Sequence, residues 1–89
     1  MEWQISLSRQ AEKFLARNHL ADTFVTDLIS KAILKFSGET IALDLRRLTG
    51  SWSGQYRVRT RKIRIIFSID FYKRQVLVEV VDFRGSAYR

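Results

Sequence analysis

The stretch from Tyr56 to Asp70 constrains the fold more than any other part of the chain. Tyr56-Arg57-Val58-Arg59-Thr60 alternates strictly, and residues 63–70 are β-branched and aromatic, so both runs read as strands. Only Arg61 and Lys62 separate them, which points to a two-residue antiparallel hairpin. Such a turn fixes the register. Thr60 then faces Ile63, Val58 faces Ile65 and Tyr56 faces Phe67 on one side of the sheet, while Arg59 faces Arg64 and Arg57 faces Ile66 on the other. A valine-rich run, residues 76–82, extends the sheet. With Tyr72 to Gln75 as the connection, Phe71 meets Val76, Ile69 meets Val78 and Phe67 meets Val80, and Glu79 lies outside, opposite Ser68.

The first half carries two further patterns. Glu2 to Leu7 alternates with Trp3, Ile5 and Leu7 on one side, a half-buried strand, and Ser8 suits a helix N-cap. Ala11, Phe14 and Leu15, then Phe24, Val25, Leu28, Ile29, Ala32, Ile33 and Phe36, form apolar stripes of two amphipathic helices joined near Asn18 and His19, the second ended by Gly38. Residues 39–54 read as irregular, with a turn at 51–54. Neither proline nor a linker interrupts the 89 residues, which predicts one α+β domain over 1–89: a small antiparallel sheet with an N-terminal strand, a two-helix hairpin on one face and three C-terminal strands.

Composition narrows the function. The chain has no cysteine, so packing alone must stabilise it, and neither a secretory leader nor a membrane-spanning run is legible; a cytoplasmic protein with no membrane partner is expected. The net charge of +7 is unevenly spread: residues 1–44 hold five basic and six acidic side chains, residues 45–89 eleven and three. An anion site therefore belongs to the second half. Like charges directly across an antiparallel pair are unfavourable, so Arg57, Arg59 and Arg64 on one face ask for a counter-anion, and a bound phosphate supplies one. Trp52, Tyr56 and Tyr88 are aromatic rings available for stacking on bases.

Leu48-Thr49-Gly50, the Tyr56-Arg57-Val58-Arg59 hairpin, the 63–70 strand and the run from Val80 through Asp82, Phe83 and Arg84 to Tyr88 follow a recognisable order and spacing. The whole chain resembles the RelE/ParE toxin superfamily. That resemblance implies a basic groove on the sheet face opposite the helices and, for RelE-like members, ribosome-dependent cleavage of mRNA in the ribosomal A site. Carried over by position, the groove residues are Arg57, Arg59, Arg64, Arg84 and Tyr88. The chain departs from the pattern at Arg61 and Lys62, where many relatives turn through glycine, at Arg57 and Arg59, where some carry lysines, and at Phe83, where many have a histidine.

RNA cleavage without a metal needs a base for the 2′-OH, an acid for the leaving 5′-oxygen and donors for the charge developing on phosphorus. Arginine stays protonated, so Arg57, Arg59, Arg64 and Arg84 are assigned to the third task. Tyr88 is either the proton-transfer group or a C-terminal aromatic that packs. Glu79 is a second candidate base, or a neutralising partner of Arg57 or Arg64. Arg46, Arg47, Arg61 and Lys62 are assigned to RNA or ribosome contact. His19 reads as an exposed turn residue, Asp22 and Asp27, five apart, do not make a helical metal pair, and Asp70 and Asp82 lie at strand ends where turn chemistry explains them, so no metal and no cofactor are expected. The expected partners are a cognate antitoxin protein, the ribosome and mRNA. Two alternatives stand beside the endonuclease: a gyrase poison of the ParE type, and a non-catalytic basic nucleic-acid-binding module.

Overall fold

The structure, a computed structural model, describes residues 2–84. Strand β1 (Gln4–Leu7) leads into helices α1 (Arg9–Arg17) and α2 (Asp22–Phe36), followed by β2 (Asp44–Arg47), a 3₁₀ turn (Gly50–Trp52), β3 (Tyr56–Arg59), β4 (Ile63–Asp70) and β5 (Gln75–Phe83). The strands form one sheet in the order β1-β5-β4-β3-β2. All neighbours are antiparallel except β1, which runs parallel to β5. The expected small antiparallel sheet is thus present, with β1 as a parallel edge strand: the two helices carry the chain across one face to β2 at the opposite edge, and the antiparallel run β2-β3-β4-β5 brings it back beside β1.

Both helices lie on that face. Ala11, Phe14 and Leu15 of α1 and Val25, Ile29 and Ala32 of α2 are buried against Val58, Ile63, Ile65, Phe67, Val76, Val78 and Val81 of the sheet. Ser8 caps α1 as expected, its Oγ accepting from the Ala11 amide at 3.1 Å and donating to the Glu79 carbonyl at 2.7 Å. His19, exposed between the helices, and Gly38, after α2, adopt left-handed φ of 56° and 99°. Tyr56 also lies on the helix side, 5.0 Å from the Phe36 ring and stacked on Phe67 at 5.8 Å, so it is a core aromatic and not a platform for bases.

The β3–β4 register agrees with the sequence reading at all four pairs from Tyr56↔Phe67 to Arg59↔Arg64. The turn itself closes differently. Neither Arg61 nor Lys62 takes a positive φ. The Thr60 amide donates to the Ile63 carbonyl at 2.8 Å, and the Ile63 amide donates at 3.0 Å to the Thr60 hydroxyl, a side-chain acceptor that removes the need for a left-handed turn.

The β4–β5 register departs by two residues. The connection is 71–74, ended by Arg74 at φ 56° and braced by Asp70 Oδ1 accepting from the Lys73 amide, so Ile69 pairs with Val76 and Phe67 with Val78. Inward-facing parity survives a shift of two. Past Phe67 the ladder skips Glu79, and Ile66 pairs with Val80 and Ile65 with Val81. This bulge returns Val81 to the core after Glu79 has passed, and it leaves both Glu79 and Val80 on the far face.

Strand β2 is the remaining correction, since residues 39–54 are not all irregular. Asp44–Arg47 pairs with β3 as an edge strand whose Leu45 packs against the core. Leu43, Leu45 and the intervening Asp44 carry the alternation in miniature; one inward residue per four is too little apolar signal to stand out.

Candidate nucleic-acid interface

The face away from the helices is organised in cross-strand rows. Register places Asp44, Arg59, Arg64 and Asp82 side by side across β2, β3, β4 and β5. The next row is Arg46, Arg57, Ile66 and Val80, with Glu79 looped out beside it at the bulge. Towards the other end the face loses its cations and continues as a polar trench of about 470 Å³ lined by Gln4, Ser6, Ser68, Asp70, Gln75 and Leu77. Four guanidinium-bearing strand residues, Arg46, Arg57, Arg59 and Arg64, are therefore brought within two adjacent rows, spaced about 7 Å along the strands.

These arginines are not the solvated side chains of an ordinary polar face. Arg57 is 8% and Arg64 9% exposed, and Ile66, which heads no core, is 0% exposed. Arg57 and Val80 are its cross-strand neighbours, and Arg64 flanks it along the strand. Arginine stems lie over apolar surface in this way while the charged end stays at the groove. Arg59 is more open, its side chain 27% exposed.

Asp44 explains how Arg57 and Arg59 coexist. Its Oδ1 lies 3.2 Å from Arg57 Nη2 and its Oδ2 2.8 Å from Arg59 Nε. The Asp44 carboxyl is held below its ordinary 3.8, foremost by the hydrogen bond from Arg59, with burial opposing and the charges of Arg59 and Arg57 adding to the fall. Sequence reasoning assigned the counter-anion to an external phosphate; the fold supplies one internally. Among the described residues, Arg57 Nε is buried and has no hydrogen-bond partner.

The other assigned residues divide. Arg84 sits at the hairpin tip, its amide donating to the Lys62 carbonyl at 2.9 Å and its Nη1 to the Thr60 and Arg61 carbonyls at 3.5 and 3.4 Å, so part of its work is to brace the turn. Arg61 and Lys62 are exposed there. Arg46 shares the face of Arg57, whereas Arg47 is the register partner of Tyr56 and belongs to the helix side. Glu79 accepts from the Gln55 amide and forms no ion pair with Arg57 or Arg64 among the contacts of the described residues. Tyr88 lies outside the described residues. Among those residues no three His, Cys, Asp or Glu side chains converge as a metal site, and no helix is long and apolar enough to cross a membrane. Asp44, Gln55 and Ile66 are the residues sequence reasoning missed; Asp44 becomes visible once the alternation of β2 is recognised.

A strand, a helical hairpin on one face and a mostly antiparallel five-stranded sheet make up a RelE-like fold. No family model and no curated protein matches the sequence. Solved structures do. The chain is similar to the DinJ-YafQ toxin-antitoxin complex of E. coli (15% identity, TM-score 0.68, all of both chains covered) and to the archaeal RelE-RelB complex of Pyrococcus horikoshii (23%, 0.63, 98% of this chain and 100% of that one). It is also similar to the RelBE2 toxin-antitoxin complex of Mycobacterium tuberculosis (19%, 0.61, 94% and 100%). At these identities the likeness is one of fold.

Proposed function

We propose that this chain is the toxin of a type II toxin-antitoxin pair, a cytoplasmic, ribosome-dependent and metal-independent mRNA endonuclease kept silent by a cognate antitoxin. The observation that carries the reading is the set of Arg57, Arg59 and Arg64 on the uncovered face of a RelE-like sheet, two of them buried to below a tenth exposure. Guanidinium groups held this firmly are preorganised donors for phosphate oxygens.

In the proposed reaction the 2′-OH of one nucleotide gives up its proton to a base, and its oxygen attacks the adjacent phosphorus. The P–O5′ bond breaks as an acid protonates the leaving oxygen, and a 2′,3′-cyclic phosphate remains. Arg57, Arg59 and Arg64 neutralise the non-bridging oxygens as charge builds on them, and Arg84, Arg61 and Lys62 extend the cationic surface at the hairpin tip. Tyr88 or a ribosomal group moves the protons; Glu79, engaged by Gln55, is the less suited base.

The test is induced expression followed by mapping of mRNA 3′ ends across the transcriptome. New ends inside translated codons support the nuclease. Trapped gyrase–DNA complexes with intact mRNA identify a gyrase poison instead, and growth without either effect identifies a binding module.

A further inference from the structure

We propose that Asp44 is a built-in competitor for the substrate's phosphate: its carboxylate holds the position between Arg57 and Arg59 that a phosphate of the nucleic acid takes, and binding exchanges one anion for the other. The inference rests on the reading of this face as a phosphate-binding surface.

The geometry is that of an anion already bound. One carboxylate oxygen meets Arg57 Nη2 at 3.2 Å and the other meets Arg59 Nε at 2.8 Å. Two non-bridging phosphate oxygens offer guanidinium groups the same pair of acceptors. The carboxylate is the partner free to leave. Asp44 stands on the edge strand with its side chain 39% exposed, whereas the Arg57 side chain is 9% exposed and fixed on the sheet. A rotamer change carries Asp44 into water without touching the β2–β3 ladder. Nor does Asp44 exhaust its partners: among the described residues Arg57 Nε remains a buried donor without an acceptor, and a phosphate brings more acceptors than a carboxylate does.

The consequence is selectivity. With Asp44 and Asp82 closing the Arg59–Arg64 row from both sides, that row is neutral in formal charge, although the chain carries +7. Polyanions attracted only by net charge meet Arg57 and Arg59 already engaged by the Asp44 carboxylate. A substrate held by other contacts, as on a ribosome, has the additional binding free energy to displace the carboxylate.

The experiment measures binding of a fluorescent single-stranded 2′-deoxy oligonucleotide, which cannot undergo 2′-OH attack, to the wild-type chain and to Asp44→Asn by anisotropy over a range of salt. The neutral variant is expected to bind about tenfold tighter at low salt. Its slope of log K against log salt should steepen by about 0.7 to 1.4, one or two freed cations at about 0.7 each for single strands. Asp44→Glu, which keeps the charge, should stay near wild type, and Asp44→Ser repeats the test should the Asn variant melt early. Weaker binding by the neutral variants means that Asp44 orients the arginines and overturns the proposal. Unchanged affinity and slope overturn it too, while leaving the phosphate-binding face standing if Arg57→Met weakens both. Binding by none of the proteins overturns both readings.

Discussion

Replacing Arg57 by methionine should separate stability from function. Methionine keeps an unbranched apolar stem over Ile66 and removes the guanidinium, whose Nε is a buried donor without an acceptor among the described residues. Such a donor costs about 1–3 kcal/mol. The ion pair lost with it contributes about 0–1 kcal/mol, because its Asp44 side is 39% exposed, and Asp44 keeps Arg59 at 2.8 Å. The balance is a gain of about 1 kcal/mol, which raises Tm by roughly 4–8 °C in a domain of this size. Arg57→Ala also deletes the stem; about three buried methylenes at about 0.8 kcal/mol each place it about 2 kcal/mol below the methionine variant. Calorimetry of the three proteins reads both differences. In a cleavage assay the methionine variant should lose about a hundredfold or more in rate, the cost of removing one preorganised donor to a developing oxyanion. A methionine variant that melts with the alanine one, or cleaves at the wild-type rate, refutes the reasoning.

Three further outcomes follow from the geometry. Ser8→Ala removes both the cap of α1 and the hydrogen bond to the Glu79 carbonyl at the bulge, and should cost about 1–2 kcal/mol in a denaturant melt. Arg74→Gly relieves a left-handed φ of 56° and should stabilise by about 0.5–1 kcal/mol, raising Tm by a few degrees. Because folding lowers the Asp44 pKa, its contribution is present in full above the unfolded value near 3.8 and is lost as pH falls through and below that value. The Tm gap between wild type and Asp44→Asn should therefore be constant from about pH 7 to 5 and close toward about pH 3, with salt reducing it throughout.

The parts of this fold legible in the sequence are those where period and turn length act together. Val58, Ile65, Tyr56 and Phe67 face the helices because a two-residue gap leaves their strands one parity, and Arg57, Arg59 and Arg64 are placed opposite them by the same rule. The Thr60 hydroxyl that closes this turn left the register intact, so its chemistry was invisible in the pattern. The β4–β5 register was not legible: it depends on Arg74 accepting a left-handed conformation and on a bulge at Glu79, and shifting a loop by one residue at each end preserves the alternation that would expose the error. Nor was the burial of Arg57 and Arg64, since hydropathy treats arginine as a surface residue and ignores its stem. Asp44 escaped notice because its strand holds a single inward leucine, and with it escaped the internal answer to the crowding of like charges.

The most direct test of the account is single-turnover cleavage of a defined mRNA on programmed ribosomes, with purified wild-type protein and with Arg57→Met. The account predicts rapid cutting within the A-site codon by the wild type, no cutting of the same mRNA without ribosomes, and a rate lower by about a hundredfold or more for a variant that is at least as stable. Intact mRNA on ribosomes saturated with folded wild-type protein, or equal cutting by the two proteins, contradicts it.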